Sequence, residues 1–432
     1  MTMPNLSVKM ISMRDNIQRY RYLSRFIPSS SDRSLVILTG ARQTGKTTLA
    51  KHKYSDLKYV SLDAPENRDA LRTQSTSLWH KDIGNAVLDE VQKEPIVFDK
   101  LKYAFDEGLI SFSILLGSSQ ILLLKRIRES LAGRVSLYEL WPLMMSEFYR
   151  SAGSADAEFP VVDRLLSSEG DIDNIMASMP SVLLESEDGA FRQAEDHLLS
   201  WGGMPALLPL QDEARWQWLK DYGFTYLERD LTDLARLADL MPFRKFQRLS
   251  ALRTGALLNY SEIARDASVS ASTAKRYLEY LILSYQAILL QPYFRNLTSS
   301  VVKAPKLYFV DVGIARSLSG FRGDATGEIY ETMVVAELTK WIRTARRNVE
   351  MFFYRTRSGL ELDLLLETES GMIGVEIKAR KRLAPKDITA MKAVAEGLGE
   401  EWRGGLVIYL GDETRRLSDP SIWAVPSRRL FI

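Results

Sequence analysis

Ser34–Tyr54 reads SLVILTGARQTGKTTLAKHKY, and the order of its parts decides the architecture of the first third of the chain. A short apolar run, SLVILT, passes into Gly40-Ala41-Arg42-Gln43-Thr44-Gly45-Lys46-Thr47 and then into a helical stretch from Thr48 onward. The eight residues satisfy G-x-x-x-x-G-K-[ST] in a strand, loop, helix context. Glycines let backbone N–H groups curve around phosphates at a helix N-terminus, where the dipole favours an anion. Lys46 is placed to reach the β and γ oxygens, and Thr47 to ligate Mg²⁺. Gly40 through Thr48 is therefore read as an ATP site with Mg²⁺, against the alternative of a structural glycine turn.

Working outward, the runs YVSLDA, NAVLDE and FSILLGSS are short, apolar and separated by helical text. Buried strands spaced by helices imply a parallel α/β sheet with crossover helices. Asp89 ends the third such run, where a carboxylate can hold Mg²⁺ through water, and Glu90 beside it can polarise the attacking water. Ser118, after the fourth run, is a candidate sensor of the γ-phosphate, or ordinary turn chemistry. Arg134, in ESLAGRV, is a candidate charge for a neighbouring subunit's γ-phosphate, or one half of a local ion pair. This region is bounded at 1–150 and includes a helix expected over Arg14–Ile27.

The chain has 432 residues, 46% of them hydrophobic, which is too long for one core and implies several domains. Net charge is only +2 with 26% charged residues, so any nucleic-acid surface must be local. No cysteine and three scattered histidines (His52, His80, His197) exclude disulfides and thiolate or histidine-rich metal centres. Oxygen-ligated metals stay open. No run approaches the roughly 18 apolar residues of a membrane helix, which predicts a cytoplasmic chain without a membrane partner.

Residues 151–240 read as a helical connector rich in Trp and Leu, and 241–302 as a winged helix-turn-helix. In YSEIARDASVSASTAKRYLEYL, Ser261 is expected to cap the first helix, and Ser268-Val269-Ser270 form the turn. Ser272, Lys275, Arg276 and Glu279 then face outward while Tyr277, Leu278 and Leu281 pack inward. The first three are the residue types that contact phosphates and base edges, although winged helices also serve as plain packing modules.

Residues 303–432 read as a last α/β domain. In GLELDLLLETESGMIGVEIKAR (Gly359–Arg380), a turn on Thr368–Gly371 sets Glu367 opposite Met372 and Asp363 opposite Glu376. Alternation then puts Asp363, Glu376 and Lys378 on one face, with Leu362, Leu364, Leu366, Val375 and Ile377 on the other. Two carboxylates that close repel unless a cation lies between them, and Mg²⁺ fits the gap. Glu337, aligned with Val334, Leu338 and Trp341 on the apolar face of its helix, needs a partner, and the same metal is one candidate. A salt-bridged hairpin is the alternative.

The ordered set GARQTGKTTL, YVSLDAPENR, VLDEVQKEP, LLGSSQ, ESLAGRV, WPLMMSEF, GGMPALL, YLERDL, KAPKLYFVDVGIA, ETMVVAEL, YRTRSGLELDLLLE and IGVEIKAR resembles the AAA+ ATPases. More narrowly, it resembles a prokaryotic family that joins an AAA-type domain to a C-terminal domain of unknown function. Members usually carry Pro where Ala41 stands. The spacing D-x12-E-x-K after a helical glutamate resembles the PD-(D/E)xK restriction-endonuclease-like core, carried here on Glu337, Asp363, Glu376 and Lys378. The resemblance implies an α/β protein with a P-loop ATPase core, a winged-helix middle and a nuclease-like end. It implies ATP hydrolysis through Lys46 and Glu90, DNA as a partner, and a homo-oligomer with a hexameric ring as one form. A nucleotide-dependent switch or scaffold that binds DNA or protein without cutting is the competing reading.

Overall fold

The computed structural model describes residues 19–117, 131–148, 150, 158–167, 170–180, 185–235, 240–294 and 302–432. β1 (Ser34–Thr39) is apolar on both faces, so it must lie between two layers. Leu35 and Ile37 pack with Val97, Phe98 and Leu101, whereas Val36 and Leu38 pack with Leu49 and Ala50. The partners come from helices on opposite faces: α1 (Lys46–Lys53) on one side, and on the other α2 (Ile96–Asp106), which follows β2 (Lys58–Ser61) and β3 (Ala86–Asp89). β4 (Phe112–Leu116) and β5 (Val135–Glu139) complete a five-stranded parallel sheet in the order β2-β3-β4-β1-β5. The carboxyl ends of β1 and β3 thus lie at one edge of the layer, where α/β sheets present their ligand crevice.

Of the helix expected over Arg14–Ile27, the described part is a four-residue 3₁₀ turn at Tyr22–Arg25. Tertiary demand overrides periodicity there. Arg21 is extended, and its guanidinium donates to the carbonyls of Thr44 and Trp141.

α3 (Glu185–Trp201) and α4 (Asp212–Ala235) lead into the winged helix. That unit comprises α5 (Met241–Ala251), β6 (Ala256–Leu257), α6 (Tyr260–Ala267), α7 (Ala271–Leu283), β7 (Ala287–Pro292) and β8 (Lys306–Phe309). Asn259, rather than Ser261, caps α6, accepting from the amides of Ser261 (3.1 Å) and Glu262 (3.2 Å). Ser268 takes the left-handed conformation that ends α6, and Ser270 caps α7. Tyr277, Leu278 and Leu281 are buried with Phe243, Phe246 and Ile263, while Ser272, Lys275, Arg276 and Glu279 are exposed.

β8 pairs antiparallel with β7 and β6, so the wing extends past residue 302. β7 then pairs with β9 (Glu350–Arg355), joining the wing to the last sheet in one nine-stranded surface. Between them lie α8 (Val312–Ser319) and α9 (Gly327–Ala345). The chain goes on through β10 (Glu361–Thr368), β11 (Gly371–Lys378), α10 (Thr389–Leu398), β12 (Trp402–Tyr409), β13 (Arg415–Ser418) and β14 (Ile422–Pro426). β9, β10 and β11 form an antiparallel meander, and β12 returns parallel to β11 after α10. α9 covers one face and α10 the other. Among the described residues no helix is long and apolar enough to cross a membrane.

The ring of His197, on α3, lies 4.4 Å from the Phe148 ring, and its buried Nε2 has no hydrogen-bond partner among the described residues. Burial, then the charges of Arg215 and Arg19, push its pKa down from 6.5 to about 3. An unfolded chain therefore takes up a proton below pH 6.5 that the folded chain refuses. This contribution to stability is fully present above that pH and falls as pH drops toward 3, by about 1.4 kcal/mol per pH unit while the difference is one proton. His197→Phe should flatten the pH dependence of urea midpoints between pH 6.5 and 5; an unchanged slope would contradict the assignment.

Candidate functional site

Gly40 has φ 146°, and a Cβ there would lie 2.1 Å from the Leu140 carbonyl oxygen, so the loop can leave β1 only through glycine. Gly45 has φ 97° and forms the N-cap of α1. Between them Gln43 is also left-handed, and the buried Thr44 hydroxyl donates to Ala41 O at 2.9 Å. Lys46 Nζ donates to the carbonyls of Gly40 (2.9 Å) and Ala41 (2.8 Å). Arg42 offers its carbonyl to Tyr222 (3.2 Å), and Thr48 is exposed on α1.

Thr47 Oγ1 donates to Asp89 Oδ2 at 2.7 Å, so the hydroxyl that follows the lysine and the carboxylate that ends β3 meet. Tyr59 donates to the same oxygen at 2.8 Å; burial first, then that bond, raises its hydroxyl pKa. Asp89 Oδ1 accepts the Glu90 amide at 3.0 Å, and Glu90 itself turns off the strand with φ 55°. Two hard oxygen donors at one point suit Mg²⁺, which keeps most of its water and takes one or two protein ligands.

Two residues behind the loop escaped the motif reading. Arg21 donates to Thr44 O (2.7 Å) and pairs with Glu147 (3.1 Å). Glu147 is fully buried and accepts from the amides of Tyr22 (2.8 Å) and Met144 (3.2 Å). Burial raises its pKa, opposed by Arg21 and the two amides. Its one sequence signal is an acid inside the apolar stretch WPLMMSEF. Ser118 lies outside the described residues. Arg134 Nε donates to Asp106 Oδ1 at 2.7 Å, with both side chains over a third exposed.

In the last sheet Glu367 faces Met372 and Leu364 faces Val375, the register the turn implies. A bulge between Leu362 and Leu365 alters one detail. Leu362 packs with Leu365 and Met372 beneath α10, whereas Leu364, Leu366, Val375 and Ile377 pack beneath α9. Leu362 is therefore not on the face of Leu364 and Leu366.

Asp363, Glu376 and Lys378 do come together. Asp363 Oδ2 accepts the Ile377 amide at 2.8 Å and lies 3.9 Å from Lys378 Nζ, which also contacts Glu376. Burial, then repulsion from Asp363, pushes the Glu376 carboxyl up to about 8, and burial raises Asp363 against the pull of Lys306 and Lys378. Glu376 is 8% exposed, and among the described residues its Oε2 has no hydrogen-bond partner.

Glu337 is not part of this group. Its carboxylate accepts the Met145 amide (2.7 Å) and pairs with Lys340 (3.0 Å), which supplies the partner its burial demands and ties α9 to the segment holding Glu147. The helical acid near the cluster is Glu331, repelled by the charge of Asp363 and bonded to Tyr308 (2.5 Å) and Lys306 (3.2 Å). Glu331 and Glu337 both fall in line with apolar residues of α9, so periodicity alone could not separate them. Among the described residues no three acidic or histidine side chains are close enough to chelate an ion by themselves. Asp363 and Glu376 offer two carboxylates, a set suited to an ion that takes its other ligands from water, carbonyls or phosphate.

Residues 32–149 match the family described as AAA domain, and together with the loop, sheet order and Thr47–Asp89 pair they define a nucleotide-binding, AAA-type ATPase domain. Residues 192–325 and 326–430 match two domains of unknown function, DUF8612 and DUF4143. Over 99% of its length the chain is 27% identical to the uncharacterized protein Rv2008c of Mycobacterium tuberculosis, covering 86% of that protein. It is 24% identical to the uncharacterized protein MJ1544 of Methanocaldococcus jannaschii, over 77% of this chain and 72% of the relative. A solved structure, the Walker-type ATPase PABY2304 of Pyrococcus abyssi, aligns with a TM-score of 0.42 at 15% identity, over 71% of this chain and 99% of that one.

Proposed function

We propose that this chain hydrolyses ATP to act on DNA and carries a metal-dependent phosphodiesterase site at Asp363, Glu376 and Lys378. The observation that carries the reading is the buried Oε2 of Glu376, without a hydrogen-bond partner among the described residues, in the group that includes Asp363. Lys378 already meets both acids, yet Glu376 stays raised to about 8; a divalent ion there would hold both ionised and would also bind a phosphate oxygen. Lys378 then neutralises charge developing on the phosphate or orients the attacking water. The run of α9, the β9–β10–β11 meander, α10 and parallel β12 supports the likeness to the PD-(D/E)xK core, with Glu331 in place of Glu337.

At the ATP site Lys46 leaves the Gly40 and Ala41 carbonyls for the β and γ oxygens. Thr47 and Asp89 would hold Mg²⁺, which would supply charge neutralisation at the phosphates, and Glu90 would orient the attacking water. On α7, Ser272, Lys275 and Arg276 supply donors to DNA phosphates and base edges; with so small a net charge, binding rests on this local surface and weakens with salt. Arg134 would act across a subunit boundary of a homo-oligomeric ring once released from Asp106. Its present ion pair is what favours the second reading, a nucleotide switch with slow turnover. Steady-state ATP hydrolysis with and without duplex DNA separates the two, a several-fold rise being expected for the machine.

A further inference from the structure

The segment KAPKLYFVDVGIA, Lys303–Ala315, has no role in either the ATP or the DNA reading. β8 carries it through the sheet, and alternation sends Lys306 and Tyr308 to one face. The Lys306 side chain is 4% exposed, and an ammonium group that deep is tolerated only when paired. It lies 2.7 Å from Glu361 and 3.2 Å from Glu331, and it is electrostatically coupled to Asp363. Tyr308 donates to the same oxygen of Glu331.

Two carboxylate pairs therefore lie side by side on α9, β10 and β11: Glu331 and Glu361 about Lys306, and Asp363 and Glu376 about Lys378. Lys306 serves one end and Lys378 the other, and Arg355 meets Glu361 at the solvent edge at 3.1 Å. The two ends differ. Where Lys306 sits, Glu331 and Glu361 both have a cationic partner. At the far end Lys378 meets Glu376 through Oε1 only, and among the described residues Oε2 has no hydrogen-bond partner.

We infer that Lys306 occupies a cation position of this carboxylate cluster as a built-in counter-ion, so that the cluster takes one divalent ion, at Asp363 and Glu376, rather than two. The inference rests on the ion site proposed above and deepens it. Lys306 is a positioning residue: it holds Glu331 and Glu361 and fixes the ion count. It also makes the site composite, because the wing strand supplies a group that the 326–430 segment lacks.

The test is an equilibrium Mn²⁺ titration of the full, nucleotide-free chain, read as bound ions per chain, with thermal unfolding followed with and without Mn²⁺. Wild type, Asp363→Ala, Lys306→Met and the double variant Lys306→Met/Glu331→Gln are compared, so that ions at the ATP site cancel in the differences. Lys306→Met should bind one Mn²⁺ more than wild type and melt lower without the ion. Mn²⁺ should then raise its Tm by more than it raises that of wild type. The double variant, which loses one charge of each sign, should return to the wild-type count. Equal counts in Lys306→Met and wild type, with equal Mn²⁺ stabilisation, would overturn the inference, as would a Lys306→Met chain that stays unfolded in Mn²⁺ while the double variant folds. The ion site itself is judged separately: it fails if wild type and Asp363→Ala bind the same number.

Discussion

Glu90→Gln is expected to bind ATP with near wild-type affinity and to hydrolyse it about 10²–10⁴-fold more slowly, the range for loss of a positioned general base. Glu90 follows the carboxylate that meets Thr47, and its left-handed backbone turns the side chain away from the strand line. The amide substitution keeps shape and removes the proton acceptor, so folding and the phosphate loop stay intact. Lys46→Ala behaves differently. It removes a point charge from the loop and should weaken nucleotide binding itself, as well as turnover. Binding of a fluorescent nucleotide measured beside steady-state hydrolysis distinguishes the two effects. Wild-type turnover in Glu90→Gln would remove the residue from the mechanism and leave Asp89 as the acid that matters.

The second large effect is expected at the far end of the chain. Asp363→Ala and Lys378→Ala should each reduce Mg²⁺- or Mn²⁺-dependent cleavage of single-stranded, duplex or branched DNA by about 10²-fold or more, since each removes one charged group that organises the transition state. They should differ in ion binding. Asp363→Ala loses the ion, whereas Lys378→Ala keeps both carboxylates and still binds it. Cleavage that survives unchanged in both variants would place the activity elsewhere. A wild type that binds DNA, cuts nothing and loses binding in Lys378→Ala would make the site a clamp.

The two sites were legible to different degrees, for a physical reason. The phosphate loop is local: glycines at fixed offsets, a lysine and a threonine are all written within eight residues, and the sheet order followed from the runs around it. The Asp363–Glu376–Lys378 cluster was legible because a two-residue turn and a period of two fix a hairpin register. The bulge at Leu362–Leu365 was not, because it arises in pairing with β9, a separate strand. Glu331 was missed for a similar reason. Which turn of α9 faces the carboxylates depends on where the helix crosses the sheet, and Lys306 joins only because β7 pairs with β9 and carries β8 alongside. Glu337 was misassigned because its true partners, Lys340 and the Met145 amide, include a backbone group 192 residues away. The N-terminal helix failed where Arg21 is drawn out toward Thr44 and Glu147.

The central claim is that nucleotide chemistry at the N-terminal sheet serves work on DNA. The most direct measurement is the steady-state rate of ATP hydrolysis titrated with duplex DNA at low and moderate salt, in wild type and in a Lys275→Glu/Arg276→Glu variant. Wild type should show a several-fold rise that fades as salt increases and is absent in the variant, whose basal rate is unchanged. A wild-type rate that stays flat across the titration while ATP is bound tightly would contradict it.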